Sequence, residues 1–221
     1  MDRKLKKIIA LSCTAAILAV AVYGNYFPLR RSQLYISVLK RFHTRPVTVA
    51  DFQAAMDGVL GAPSPVGEEE IVRGLTAIAT DFIRQIKKEN LNLVADIMRE
   101  IDRYYPSIIQ RGRGLSFGQD ILVYGNINLV AGIKTGDTSY LQTAEQVYRK
   151  GIAISPTRPQ FLYALLDLAH LRGDREESIR LAKKIVSFWP DDMRTQEILA
   201  SLQKEKAAGS AKSDKQKNTK K

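Results

Sequence analysis

The first long apolar stretch covers residues 8–23 without a charge and continues to Phe27. It is apolar on every face rather than along one stripe, unlike a helix buried on one side only. About 20 such residues cross a bilayer, so the pattern predicts a transmembrane helix over 8–27. Tyr23, Tyr26 and Phe27 would form an interfacial aromatic belt, with Arg30 and Arg31 just outside it. Beyond this span the apolar positions change to 3- and 4-residue steps, the period of amphipathic helices. A short helix is expected over 32–42, interrupted by His43-Thr44-Arg45-Pro46. Thr48 is placed to cap a helix over 49–60, which Gly61-Ala62-Pro63-Ser64-Pro65 ends. Glu68, Glu69 and Glu70 open the next helix, where carboxylates complement the first-turn dipole. Ile71, Leu75, Ile78, Ala79, Phe82 and Ile86 lie along one of its faces. After a break at Asn90, a helix carrying Leu93, Val94, Ile97, Met98, Ile101 and Tyr105 is expected to stop at Pro106, which makes 67–106 a helical hairpin. Arg111-Gly112-Arg113-Gly114 reads as a solvated loop.

The C-terminal half predicts helices over 119–134, 138–154, 159–172 and 174–188, and a short closing helix over 193–203. A 34-residue period suits a tetratricopeptide unit, in which two helices pack against each other and against the next pair. Pro190 then ends a unit that begins at Pro159. In that register Leu162, Leu165 and Leu166 fall on the inner face of the first helix, beside Ala169. Gly173-Asp174 makes the turn, and Ser178, Ala182 and Ile185 take the packing positions of the second helix. Pro156 lies 34 residues before Pro190, and counting back aligns Ala144, Tyr148 and Gly151 with those three. Gly136-Asp137 arrives three residues early, so this earlier unit has a longer turn. The fold class expected is all-α: one N-terminal transmembrane helix, then a short tetratricopeptide-like α-solenoid of helical hairpins. Its divisions are a basic head 1–7, the span 8–27, a helical juxtamembrane linker 28–66, the hairpin 67–106, repeats with a capping helix 107–203, and a tail from 204 to 221.

Gly136-Asp137, Tyr140-Leu141, Ala144-Glu145, Ser155-Pro156-Thr157-Arg158-Pro159-Gln160 and Gly173-Asp174 carry a resemblance. They resemble the tetratricopeptide segment that follows the last membrane span of some bacterial O-antigen ligase and polymerase-like proteins. The order of span, helical region and repeats is also similar, although the sharp motifs cover only 136–190. The resemblance implies an accessory or interaction role near cell-envelope glycan assembly, or a truncated or split tail of such a protein. It implies no catalytic residue, because the multi-span region that would hold a glycan-transfer site has no counterpart here.

Charge narrows the function classes. The net +11 suggests a nucleic-acid binder until it is divided. Four basic residues against Asp2 give the head +3, and seven lysines against Glu205 and Asp214 give the tail +5. The rest is nearly balanced, unlike a folded basic groove with interleaved aromatics. A lysine-rich, apolar-poor tail of this kind is expected to be disordered and offers an alternative reading as an anionic-surface or nucleic-acid binder. Four Lys or Arg flank the span on each side, so the positive-inside rule nearly cancels. The default is a cytoplasmic N-terminus with the helical domain extracytoplasmic. Ala19-Val20-Ala21 keeps a cleaved signal peptide open as the rival of a signal anchor.

The single cysteine, Cys13, excludes a disulfide framework and a cysteine zinc site. His43 and His170 lack metal-ligand spacing, and no nucleophile elbow, P-loop or dinucleotide fingerprint is present. No enzyme activity, cofactor, metal site or small-molecule substrate is therefore expected. The expected role is protein–protein interaction or scaffolding at a membrane. In the best unit the first helix would offer Gln160, Tyr163, Asp167, His170 and Leu171 to a peptide or protein partner, with ordinary surface or packing roles as the alternative for each.

Overall fold

The computed structural model describes residues 3–44, 47–114 and 116–204, so the lysine tail from 205 onward lies outside the described residues. The secondary structure is helical throughout the described residues, with no strand among them. The chain forms two compact units, one up to Val123 and one from Tyr124.

In the first unit, α1 (Arg3–Ala21), a wide π-turn (Val22–Tyr26) and α2 (Phe27–Thr44) form one unbroken helix of 42 residues. By length and composition this helix can cross a membrane, and none of its most apolar window is buried. The expected gap between the span and a separate 32–42 helix is absent. The reason lies at Pro28, which has no N–H for the carbonyl of Gly24 and would crowd that carbonyl in a regular helix. Here the Phe27 N–H bonds the Val22 carbonyl across a widened turn, and the chain passes the proline without stopping. Past it, Arg31 and Val38 are buried and Tyr35 and Phe42 half-buried, with the 4-3-4 spacing of a packing face.

That face meets α3 (Val49–Leu60), whose start is a capping box between Thr48 and Asp51. The buried Arg31 reaches the other end of α3, donating from Nε to the Val59 carbonyl (3.1 Å) and from Nη2 to the Leu60 carbonyl (2.6 Å). A cation here satisfies orphan carbonyls and opposes the negative end of the helix dipole. Within 28–66, α2 and α3 thus pack against each other.

α4 (Glu68–Gln85) buries Ile71, Val72, Leu75, Ala79 and Ile83. Ile78 and Phe82, expected inside, are only half-buried, so the face is turned slightly from the sequence reading. A 3₁₀ turn (Lys88–Asn90) supplies the break before α5 (Asn92–Asp102). Pro106 opens α6 (Tyr105–Arg111) instead of ending α5, because a first-turn proline sacrifices no helical hydrogen bond. Arg111 accordingly belongs to a helix end, and Gly112 caps it at φ 66°.

The boundary between the units falls within α7 (Phe117–Thr135). The second unit continues with α8 (Thr138–Ile154), α9 (Pro159–Leu171), α10 (Arg175–Phe188) and α11 (193–204). The two Gly-Asp pairs do the same work twice. Gly136 and Gly173 take φ of 77° and 70°, and Asp137 and Asp174 cap the following helix through Ser139 N–H and Glu177 N–H. Leu162, Leu165, Leu166, Ala169, Ser178, Ala182 and Ile185 are all buried, as are Ala144, Tyr148 and Gly151 in the preceding helix.

Candidate partner-binding face

Pro159 starts α9 in its first turn, where its fixed φ suits a helix. Phe161, Leu162, Ala164, Leu165, Leu166, Leu168 and Ala169 are buried. The 3- and 4-residue steps between them leave Gln160, Tyr163, Asp167, His170 and Leu171 on the remaining face. Gln160, Asp167 and His170 are exposed, and Leu171 is 49% exposed, an apolar side chain beside polar ones.

Tyr163 differs from its neighbours. It is half-buried, its hydroxyl donates to the Asp192 carboxylate, and its ring stacks on Trp189 at 6.5 Å between centroids. Asp192 also accepts from Thr195 Oγ1 (2.6 Å) and from the Thr195 N–H (3.2 Å), the first-turn bond of a cap on α11. The Thr195 bonds and then the Tyr163 bond hold the Asp192 carboxyl below its ordinary range. The Asp192 bond, then burial, raises the Tyr163 phenol. Tyr163 therefore ties α9 to the start of α11, while its ring remains part of the face.

One link between α7 and α8 escaped the sequence reading. The Tyr148 hydroxyl donates to Asn126 Oδ1 (2.7 Å), joining α8 to α7. Burial, followed by the nearby Asp167 carboxylate, raises the Tyr148 phenol. The only hint was the pair Asn126 and Asn128 within the otherwise apolar 121–133 run.

An ion-pair network lies elsewhere in the unit. Glu145 accepts from Arg149 (2.8 Å) and from Arg172, Arg149 also reaches Glu177 (3.2 Å), and Glu177 accepts from Arg180 Nε (2.6 Å). Glu145, Arg149, Arg172 and Glu177 line a cavity of about 190 Å³ with Leu165, Leu168 and Ala169. Every acidic group named there has an arginine partner, which suits a bracket across α8, α9 and α10.

In the first unit, Asp120 is buried and accepts from Arg73 Nη1 (2.7 Å) and Ser116 Oγ (3.2 Å). His43 Nδ1 lies 2.8 Å from the Leu39 carbonyl. Among the described residues no three His, Cys, Asp or Glu side chains stand together as a metal site. Compared with protein-family models, curated proteins and solved structures, the chain has no significant match in any of the three.

Proposed function

We propose that the chain is a membrane-anchored, non-enzymatic interaction module whose tetratricopeptide-like hairpins α7–α11 hold a peptide or helix of a protein partner against α9. The observation that carries this reading is the composition of the α9 face. Exposed Gln160, Asp167 and His170 supply hydrogen bonds and charge, Leu171 supplies apolar contact, and the central Tyr163 ring is held in place by Asp192 and Trp189. A fixed aromatic amid adaptable polar groups loses little entropy on binding. The repeated Gly-Asp turns and the small buried residues at Ala144, Gly151, Ser178 and Ala182 support the repeat reading. Exposed Ile8, Leu11, Ile17, Leu18 and Val20 support the anchor, since a continuous apolar surface of that extent calls for lipid or a partner.

The test places an apolar photo-crosslinking residue at Leu171, which is exposed on the same face, in the full-length protein in its native membrane. Capture of a discrete partner, abolished by His170→Ala with unchanged helicity, is expected. Crosslinks unaffected by His170→Ala and by Gln160→Ala would remove α9 from the interface. The resemblance of 136–174 makes a multi-span glycan-transfer protein the first partner to examine by co-purification. Thiol labelling from either side of the membrane tests the assignment of the N-terminus to the cytoplasm and the hairpins to the outside.

A further inference from the structure

We infer that the 61–67 loop, between α3 and α4, is a second contact with the bilayer, seated in its interfacial layer beside the anchor helix. The inference rests on the anchored reading of α1.

The geometry follows from the continuous helix. If the hydrocarbon boundary lies at Phe27, where the apolar run and its aromatics end, Arg31 stands about 6 Å beyond it at the helical rise per residue. The interfacial layer on each side of a bilayer is about that thick. Arg31 is bonded to the carbonyls of Val59 and Leu60, so the last turn of α3 is held at that level. Thr44, by contrast, is about 20 Å further along the helix. Since Thr48 begins α3 four residues after Thr44, α3 returns antiparallel toward the membrane.

α4 leads the chain away again. Tyr35 of α2 lies over Gly74 of α4, where a Cβ would collide with its hydroxyl, and Phe42 shares a cavity with Ile78 and Phe82. Residue numbers rise together along α2 and α4, so the start of α4 is at the membrane end. Both ends of the 61–67 loop are thus fixed at the level of Arg31.

The chemistry of the loop suits this position. Residues 58–67 carry no charge, Val66 is 62% exposed, and Pro63 and Pro65 are exposed without backbone N–H groups to desolvate. Leu29 of the anchor helix, 58% exposed, adds apolar surface close to the same level. Glu68 and Glu70 follow immediately and are exposed, which favours an uncharged lipid surface over an anionic one and makes the contact apolar rather than electrostatic.

The experiment uses the full chain in a Cys13→Ser background, reconstituted in phosphatidylcholine vesicles. An environment-sensitive fluorophore is attached in turn at Leu18→Cys, Val66→Cys and Thr44→Cys, and quenched by lipids spin-labelled shallow or deep in the acyl chain. Deep quenching at 18, shallow quenching at 66 with blue-shifted emission, and no quenching at 44 are expected, unchanged in high salt. Quenching at 18 with 66 as unaffected as 44 would overturn the loop contact and leave the anchor standing. No quenching at 18 would overturn the anchor and the loop contact together. Equal quenching at all three positions would lay the helix along the surface and overturn the geometry. Val66 is exposed, so its replacement leaves the fold intact, as circular dichroism checks.

Discussion

The ring of Phe161 lies on the bare Cα of Gly151, so near that a Cβ built there would stand 2.5 Å from the ring. This contact joins α9 to α8, and Tyr148 of α8 sits on Gly125 of α7 in the same manner. Each large ring occupies space that only glycine leaves open. Gly151→Ala gains about 1 kcal/mol in helix propensity but overpacks a rigid ring, at a cost of about 1–3 kcal/mol. A net loss of stability in urea unfolding is expected, relieved when Phe161→Leu is added. An additive double variant would show that the two residues are not coupled.

Arg31 offers a separate test of the first unit. Hydrogen bonds from a charged donor contribute about 1.5–3 kcal/mol, and Arg31→Ala leaves two carbonyls at the end of α3 without their donor. A loss of about 2 kcal/mol is expected, with Arg31→Lys recovering part of it, measured by denaturant unfolding in detergent. Hydrogen exchange should quicken first in the last turn of α3.

The Arg73–Asp120 pair should respond asymmetrically. Asp120 has 1% of its side chain exposed and Arg73 21%, so truncating the acid strands a largely buried cation. Asp120→Ala is expected to cost about 3 kcal/mol, the lower end for a broken buried pair, and the double variant Asp120→Ala with Arg73→Met should recover much of it. Thermal unfolding of the two variants decides between a structural pair and a dispensable one.

Acid should weaken the second unit. Burial opposes ionisation of Glu145, but bonds from Arg172 and Arg149 outweigh it and leave its carboxyl below the ordinary 4.5. The Arg180 bond, partly offset by burial, does the same for Glu177. A lowered folded-state value means stability that is complete above about 4.5 and lost as pH falls through the depressed values. Unfolding free energy should therefore be flat near neutrality and decline below pH 4.5, and Glu145→Gln should shallow that decline. Since these groups are partly exposed, the expected effect is modest, about 1 kcal/mol or less.

Tyr163 should separate folding from binding. Tyr163→Phe removes the bond to Asp192 while keeping the ring on Trp189, at a cost of about 1 kcal/mol. Its partner capture should persist, whereas Asp167→Ala should reduce capture with unchanged stability. The reverse pattern would make Tyr163 the recognition residue and Asp167 incidental.

Signals that act within a turn or two were legible in the chain. Thr48 announced α3, the 138–154 helix appeared with both ends correct, and the two Gly-Asp pairs marked real turns. Pro106 was misleading, because it looks like a stop until a first-turn position accommodates it. What the sequence could not disclose is pairing across distance. Arg31 looked like a headgroup anchor but is a cap 28 residues from its acceptor, and Tyr163 looked free but is bonded to a residue 29 positions away. The α9 face was legible as a periodic set; its support by Asp192 and Trp189 required the third dimension.

The wide turn at Val22–Tyr26 also sets the phase of the whole first unit. A π-turn stores one residue beyond the regular helix, so the faces before and after it keep the alignment of a chain one residue shorter. Removing a residue within that turn would let it close without swinging α3 and α4 about the anchor's axis. Removing one from α1, on the other side of the turn, would turn them by about 100° relative to α1, while the level of the 61–67 loop along the axis would change by only about 1.5 Å. The turn is thus the splice point at which the long first helix tolerates a change of length without re-aiming what it carries.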